Sequence, residues 1–76
     1  EEFVKTASEV PGVIRVHHIM TDYVGPKLIV DLHINVDGNK SLRESHAISD
    51  AVTQKLEAFP QVDRAYVHIE PDDWVD

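Results

Sequence analysis

The chain has 76 residues, no cysteine, and seven basic against fourteen acidic side chains, for a formal net charge of −7. A domain this short buries only about 60% of the surface of its unfolded chain, so self-association or a bound metal would add stability. Because the chain has no cysteine, the ligands of any metal must be nitrogen and oxygen atoms rather than thiolate. The negative charge disfavours nucleic acid and anionic lipid and suits divalent cations, and no apolar run approaches the ~18 residues needed for membrane insertion.

The first predicted element is a short helix over residues 1–10. Its apolar side chains recur at helical spacing, at Phe3, Val4, Ala7 and Val10. Two acidic residues at its amino end suit the helix dipole, and Pro11-Gly12 ends it. Because the sequence begins inside this helix, we expect it to be a piece of a longer chain.

A β-hairpin is predicted next, over residues 13–36, because two runs rich in β-branched residues flank a break at Gly25-Pro26. Side chains alternate along a strand. In the second run the core face is predicted to carry Leu28, Val30, Leu32, Ile34 and Val36. The opposite face of that run is predicted to carry Lys27, Ile29, Asp31, His33 and Asn35.

Alternation also divides the first run of the hairpin into two faces. The inward set is Ile14, Val16, His18 and Met20. The outward set is Arg15, His17, Ile19, Thr21 and Tyr23. We therefore interpret His18 as a neutral core histidine and expect His17 to share the outer face with His33. A one-residue slip or a bulge would present His18 there instead.

After a turn at Asp37-Gly38-Asn39, Ser41 and Glu44 have the spacing of a capping box, which predicts a helix over residues 42–59. Its apolar stripe consists of Ile48, Ala51, Val52, Leu56 and Phe59. At about 100° per residue, His46 lies nearly opposite that stripe. His46 is therefore expected to point away from its own core.

A last strand is predicted over residues 62–70, with Ala65, Val67 and Ile69 inward and Arg64, Tyr66, His68 and Glu70 outward. The order α-β-β-α-β predicts a two-layer α+β sandwich, in which two helices cover one face of a three-stranded mixed sheet. The crossover between the second and third strands is expected to be right-handed, which makes that pair parallel.

The uncovered face of this sheet is the candidate site, because it gathers three histidines and a carboxylate: His17, His33, His68 and Glu70. Neutral imidazole and carboxylate are ligands of zinc and neighbouring divalent ions. His68 and Glu70 stand two residues apart on one strand and share a face for that reason. The sequence lacks nucleophile and phosphate-loop motifs, and a thin two-layer domain offers little depth for a substrate, so we interpret the site as binding rather than catalytic.

These residues resemble a known family. Pro11-Gly12-Val13, Val16-His17, Gly25-Pro26, Leu32-His33-Ile34, Ser45-His46 and Val67-His68-Ile69-Glu70-Pro71 are similar to the cytoplasmic C-terminal domain of cation diffusion facilitator transporters. The resemblance covers nearly the whole span from Pro11 to Pro71. It implies a metallochaperone-like (ferredoxin-like) fold, a homodimer, and an upstream transmembrane domain that exchanges divalent metal for protons.

The resemblance further implies a set of regulatory metal ligands, namely His17, His33, His46, His68 and Glu70. It implies Zn²⁺ as the first metal, with Fe²⁺, Mn²⁺, Co²⁺, Ni²⁺, Cu²⁺ and Cd²⁺ as alternatives, and a place at the cytoplasmic face of a membrane. Since His46 faces away from the sheet, a second copy of the chain would supply it. Two rival interpretations remain, a metal-independent dimerisation module and an ACT-like sensor of a small molecule.

Overall fold

The computed structural model describes residues 2–74 and contains two helices and three strands. They are α1 (Glu2–Ser8), β1 (Arg15–Val24), β2 (Lys27–Val36), α2 (Leu42–Glu57) and β3 (Val62–Pro71). The strands form one sheet in the order β1-β2-β3, in which β2 pairs antiparallel with β1 and parallel with β3. The predicted α+β arrangement with a mixed sheet is confirmed. Neither helix within residues 2–74 has the length and apolar character needed to cross a membrane.

The core lies between the helices and one face of the sheet. Its buried members are Ala7, Val10, Val30, Leu32, Ile34, Val36, Val52, Leu56, Val62 and Ala65. The rings of Phe3 and Phe59 meet edge to face, with centroids 5.1 Å apart, and join α1 to the end of α2. The inward positions predicted on the second and third strands are therefore confirmed except for Leu28, which is half-buried at the start of β2 and lies outside the core. The residues that alternate with these inward positions on β2 lie on the opposite face of the sheet.

The start of α2 is fixed by a reciprocal pair of hydrogen bonds. The Glu44 amide donates to the Ser41 hydroxyl at 3.0 Å, and the Ser41 amide donates to the Glu44 carboxylate at 3.0 Å. This is the predicted capping box. The helix ends at Glu57, two residues earlier than predicted, with Ala58 as its C-cap, because the residue before Pro60 is disfavoured in helical conformation.

The first strand departs from strict alternation. His17 pairs with His33 and Met20 pairs with Asp31, so His18 and Ile19 together oppose Leu32. The backbone of His18 has φ 56°, in the left-handed region. Two residues opposite one, with the first left-handed, make a β-bulge of the type that usually holds glycine at that position.

The bulge overturns the predicted faces of the first run beyond His17. His18 is exposed and not a core histidine, and Ile19, predicted outward, packs against the core. Met20, predicted inward, shares the face of Asp31 and is 61% exposed. The outward face predicted for Thr21 and Tyr23 was also wrong, since these residues pair with Val30 and Leu28, which belong to the core-facing set of β2. One extra residue inverts every side chain that follows it.

We expect Ser41→Ala to lower the free energy of unfolding by about 1 kcal/mol, because it orphans an amide at the start of α2. Urea unfolding of the metal-free chain measures this. Glu44→Gln is the matched control, since glutamine at the same position can complete the box. Equal losses in the two variants would contradict the role given to the serine.

Candidate metal centre

Three imidazoles form a row across the uncovered face of the sheet. His33 on β2 is directly opposite His17 on β1 and directly opposite His68 on β3. The ring centroid of His33 lies 5.5 Å from that of His17 and 4.6 Å from that of His68. The predicted sharing of one face by these three histidines is therefore seen in the structure. β2, as the central strand, brings the other two together.

Glu70 joins two of these rings. Its Oε1 lies 3.0 Å from Nε2 of His17, and its Oε2 lies 2.8 Å from Nδ1 of His33. A carboxylate can only accept, so each imidazole donates. The side chains of His17, His33 and Glu70 are 15%, 24% and 17% exposed. These two bonds hold both histidines on neighbouring strands to a single, mostly buried carboxylate.

The same contacts shift the titration of Glu70. The hydrogen bond from His33 is the largest cause, and it lowers the pKa of the Glu70 carboxyl below its ordinary value of 4.5. Partial removal from water raises the pKa, and the hydrogen bond from His17 lowers it again. The net direction is downward. Glu70 is therefore an anion wherever the chain works near neutral pH, which is the form that binds a metal.

Two groups of potential ligand atoms share His33. We call His17, His33 and Glu70 the inner group, and Asp31, His33 and His68 the outer group. Within each group, one ligand atom per residue lies within 4.8 Å of the others. Around a tetrahedral ion with bonds of ~2.0–2.2 Å, ligand atoms are about 3.4 Å apart, so small side-chain movements close either group on an ion.

The outer group lies nearer to solvent. Nε2 of His68 is 3.2 Å from Oδ1 of Asp31, and the two side chains are 52% and 46% exposed. Together with His18 and His33 they line a surface cavity of about 470 Å³. The His18 ring stands 5.0 Å from that of His33. The outer group therefore opens into water, whereas the inner group is largely enclosed by protein.

Sequence reasoning put Asp31 on this face but did not count it as a ligand. The signal was present, because Asp31 stands two residues before His33 on a strand whose alternation was correctly read. His18 carried no comparable signal. Its place depends on the bulge, which the sequence left only as an alternative.

The structure does not bring His46 to this cluster. His46 lies on α2, in the helical layer behind the sheet, and its Nδ1 is 3.3 Å from Oδ2 of Asp50. Its side chain is 69% exposed. The expectation that His46 points away from its own core agrees with this position.

A buried amide anchors the strand end that carries Glu70. Asn35, opposite Glu70 on β2, is 1% exposed. Its side-chain nitrogen donates to the carbonyl oxygens of Pro71 at 3.0 Å and Trp74 at 3.2 Å, and its oxygen accepts from Nε of Arg15 at 3.1 Å. These bonds tie the end of β3 to both other strands. The backbone that follows Glu70 is thereby held in place.

A protein-family model described as the cytoplasmic domain of cation efflux proteins matches residues 1–72. The chain belongs to the cation efflux family. The resemblance noted from the sequence is confirmed, and the domain is that of a cation transporter rather than of a typical enzyme.

Several curated proteins are similar to this cation efflux domain. The uncharacterized transporter MJ0449 of Methanocaldococcus jannaschii is 47% identical over 66 residues, which are 87% of this chain and 23% of that protein. The cation-efflux pump FieF of Shewanella oneidensis is 31% identical over 86% of this chain and 22% of its own length. The manganese efflux system protein MneS of Bacillus subtilis is 28% identical over 91% and 24%. The chain thus spans about a quarter of the length of these relatives.

Solved structures of the MamM C-terminal domain share the fold. One, covering residues 215–293 of that protein, is 30% identical with a TM-score of 0.86, over 91% of this chain and 89% of that one. A nickel form of a MamM variant has 28% identity and a TM-score of 0.88, over 93% and 91%. Cadmium and copper forms of other MamM variants match with the same score of 0.88. The cation efflux domain architecture is thus shown in both sequence and structure.

We expect Glu70→Gln to change how the metal-free chain responds to acid. A group whose pKa is lowered by folding contributes stability that is fully present above its unfolded pKa and is lost as pH falls through the folded one. The unfolded value is near 4.5. The stability difference between the parent and Glu70→Gln should therefore be constant above about pH 5.5 and should shrink below about pH 4.5.

Urea unfolding in chelator, repeated at pH values between about 6 and 3, measures that difference. Glutamine keeps the size of the side chain and removes its charge, so the comparison isolates the carboxylate. A difference that stayed constant over the whole range would contradict the assigned direction of the pKa shift.

Proposed function

We propose that this chain is the metal-sensing, dimerising cytoplasmic domain of a divalent-cation efflux transporter. A divalent ion bound on the histidine-bearing face favours a closed arrangement of two chains and so regulates transport. The observation that carries this proposal is the meeting of two potential ligand groups at His33. This cluster lies on the face of the sheet that the helices leave uncovered, on the opposite side from the apolar core.

The ligand chemistry fits a divalent metal. The inner and outer groups offer imidazole and carboxylate, which suit zinc and also Fe²⁺, Mn²⁺, Co²⁺, Ni²⁺ and Cu²⁺. Zn²⁺ is the first choice because each group supplies three ligands of the types that zinc prefers. Asp31 is added to the ligands expected from the sequence, because it belongs to the outer group. The nickel, cadmium and copper forms of MamM variants support a divalent ion without selecting one.

Charge provides the link between binding and closure. The chain carries a formal charge of −7, and Asp31 and Glu70 both stand on the face in question. Two such surfaces repel each other when they approach, and a bound cation reduces that repulsion. An ion shifts the population only if it binds the closed form more tightly than the open form. A ligand contributed by a second chain would supply that difference.

His46 is our candidate for the ligand from the second chain. It is exposed on α2, away from the cluster of its own chain, and Asp50 is its ion-pair partner in the structure. In a homodimer, His46 of one copy would complete the coordination of an ion on the sheet face of the other. Closure of the two cytoplasmic domains would then act on the transmembrane domain expected in the full-length transporter.

We expect His33→Ala to weaken the tightest zinc-binding event by more than the roughly 10- to 100-fold that outer-shell substitutions cost, because His33 belongs to both groups. Calorimetric titration with zinc measures the affinity. X-ray scattering of the same samples measures closure. With zinc, the radius of gyration should become smaller in the parent and should not change in the variant.

Ile29→Ala is the matched control, since Ile29 lines the same cavity from the same strand and has no ligand atom. It should retain zinc affinity. A parent chain that dimerises in chelator and shows no change in scattering or melting temperature with zinc would contradict the proposal and leave a structural dimerisation module. Binding of a small organic molecule without zinc would instead favour the ACT-like sensor.

We expect His46→Ala to weaken zinc affinity and closure together, since a ligand supplied across the interface links the two. Asp50→Asn is the matched control, because it removes the ion pair of His46 while leaving the imidazole in place. Calorimetry and scattering on both variants measure the effect. Unchanged affinity in His46→Ala would remove that histidine from the site.

A further inference from the structure

The sheet has two outer edges, one on β1 and one on β3. An edge strand exposes backbone amides and carbonyls to which a strand of another chain can bind, and proteins usually block such edges with bulges, lysine, proline or a covering element. The edge of β1 is interrupted by the bulge at His18. β3 has no lysine, its one proline is its last residue, and its register against β2 runs without a shift from Arg64 to Pro71.

One side chain occupies the free edge of β3. Glu57, the last residue of α2, accepts a hydrogen bond at Oε2 from the backbone amide of Ala65 at 3.0 Å. Within a strand, the amide and carbonyl of one residue point to one side and those of the next residue to the other side. The bond to Ala65 therefore identifies the residues whose backbone groups lie on the free edge. They are Ala65, Val67 and Ile69, and the residues between them pair with β2.

We propose that Glu57 blocks the free edge of β3, and that without Glu57 this edge pairs antiparallel with the same edge of a second copy of the chain. The proposal does not depend on metal binding. The carboxylate takes the amide that an incoming strand would need, and it places a negative charge where a carbonyl oxygen of that strand would lie. Pairing would have to bury this charge without a partner, which is unfavourable.

The side chains of β3 favour a second copy as the occupant of this edge. A two-fold axis at Val67 pairs Ala65 of each copy with Ile69 of the other, so every backbone group on the edge is used. The same register places Arg64 of each copy opposite Glu70 of the other, and opposite charges directly across two strands stabilise their pairing. Arg64 is exposed and makes no ion pair within residues 2–74, so it is available for this contact.

The decisive measurement is the solution mass of Glu57→Ala, by light scattering in chelator, as the concentration of the chain is raised. The weight-average mass should reach about two-fold that of the parent or more, because a two-fold contact joins copies edge to edge. Glu57→Gln is the matched control. Its amide oxygen can accept the same hydrogen bond from Ala65, so this variant should keep the mass of the parent.

A second substitution tests the register. Arg64→Glu, added to Glu57→Ala, places like charges opposite each other in the pairing, so the mass should return to that of the parent. Arg64→Lys, added to Glu57→Ala, keeps the opposite charges and should leave the association intact. This comparison separates edge pairing from misfolding, because a misfolded chain would aggregate with either substitution.

Hydrogen exchange reports on the edge itself. In the parent, the amides of Val67 and Ile69 should exchange faster than those of Tyr66 and His68, because only the second pair bonds to β2. In Glu57→Ala, the amides of Val67 and Ile69 should become protected as the concentration rises.

Three outcomes would overturn the proposal. The first is a Glu57→Ala chain that keeps the mass of the parent. The second is a Glu57→Gln chain that associates as strongly as Glu57→Ala, which would show that the hydrogen bond to Ala65 does not block the edge. The third is association that persists with Arg64→Glu or leaves the Val67 amide unprotected, which would show that the copies meet elsewhere. The metal-dependent closure proposed above is measured with zinc and with Glu57 in place, so it stands or fails separately.

Discussion

The pairing of β2 with both of its neighbours is the constraint on which the candidate site depends. His33 is directly opposite His17 on one side and His68 on the other, so backbone hydrogen bonding sets the spacing of the three imidazoles. Glu70 then bonds two of the rings and fixes their orientation. A shift of β2 by one residue against either neighbour would turn His33 into the core and leave no cluster.

The sequence predicts this arrangement where the strands are regular. Along β2 and β3 the period-two pattern placed His33, His68 and Glu70 on one face, because inward positions are filled by β-branched and other apolar residues that only one register can bury. The same period-two pattern could not predict the bulge in β1. Left-handed bulge positions are usually signalled by glycine, and here the position holds His18, so neither composition nor spacing marks the extra residue.

The omission of Asp31 has a different cause. Its face and its spacing two residues before His33 were correctly read, but an aspartate on an uncovered strand face is ordinarily a solvated side chain, so this signal alone does not identify a ligand. Only the structure shows that its carboxylate lies 3.2 Å from His68. The distinction between a surface charge and a potential ligand rests on a neighbouring strand, and one-dimensional periodicity does not report which strands are neighbours.

The inner and outer groups differ in how far their side chains are exposed to solvent. The inner side chains are 15–24% exposed and are already hydrogen-bonded to one another, so an ion finds them nearly ordered. Asp31 and His68 are about half exposed and must lose more freedom on binding. If the proposed function holds, the inner group would therefore bind an ion more tightly than the outer group, because its side chains lose less freedom on binding.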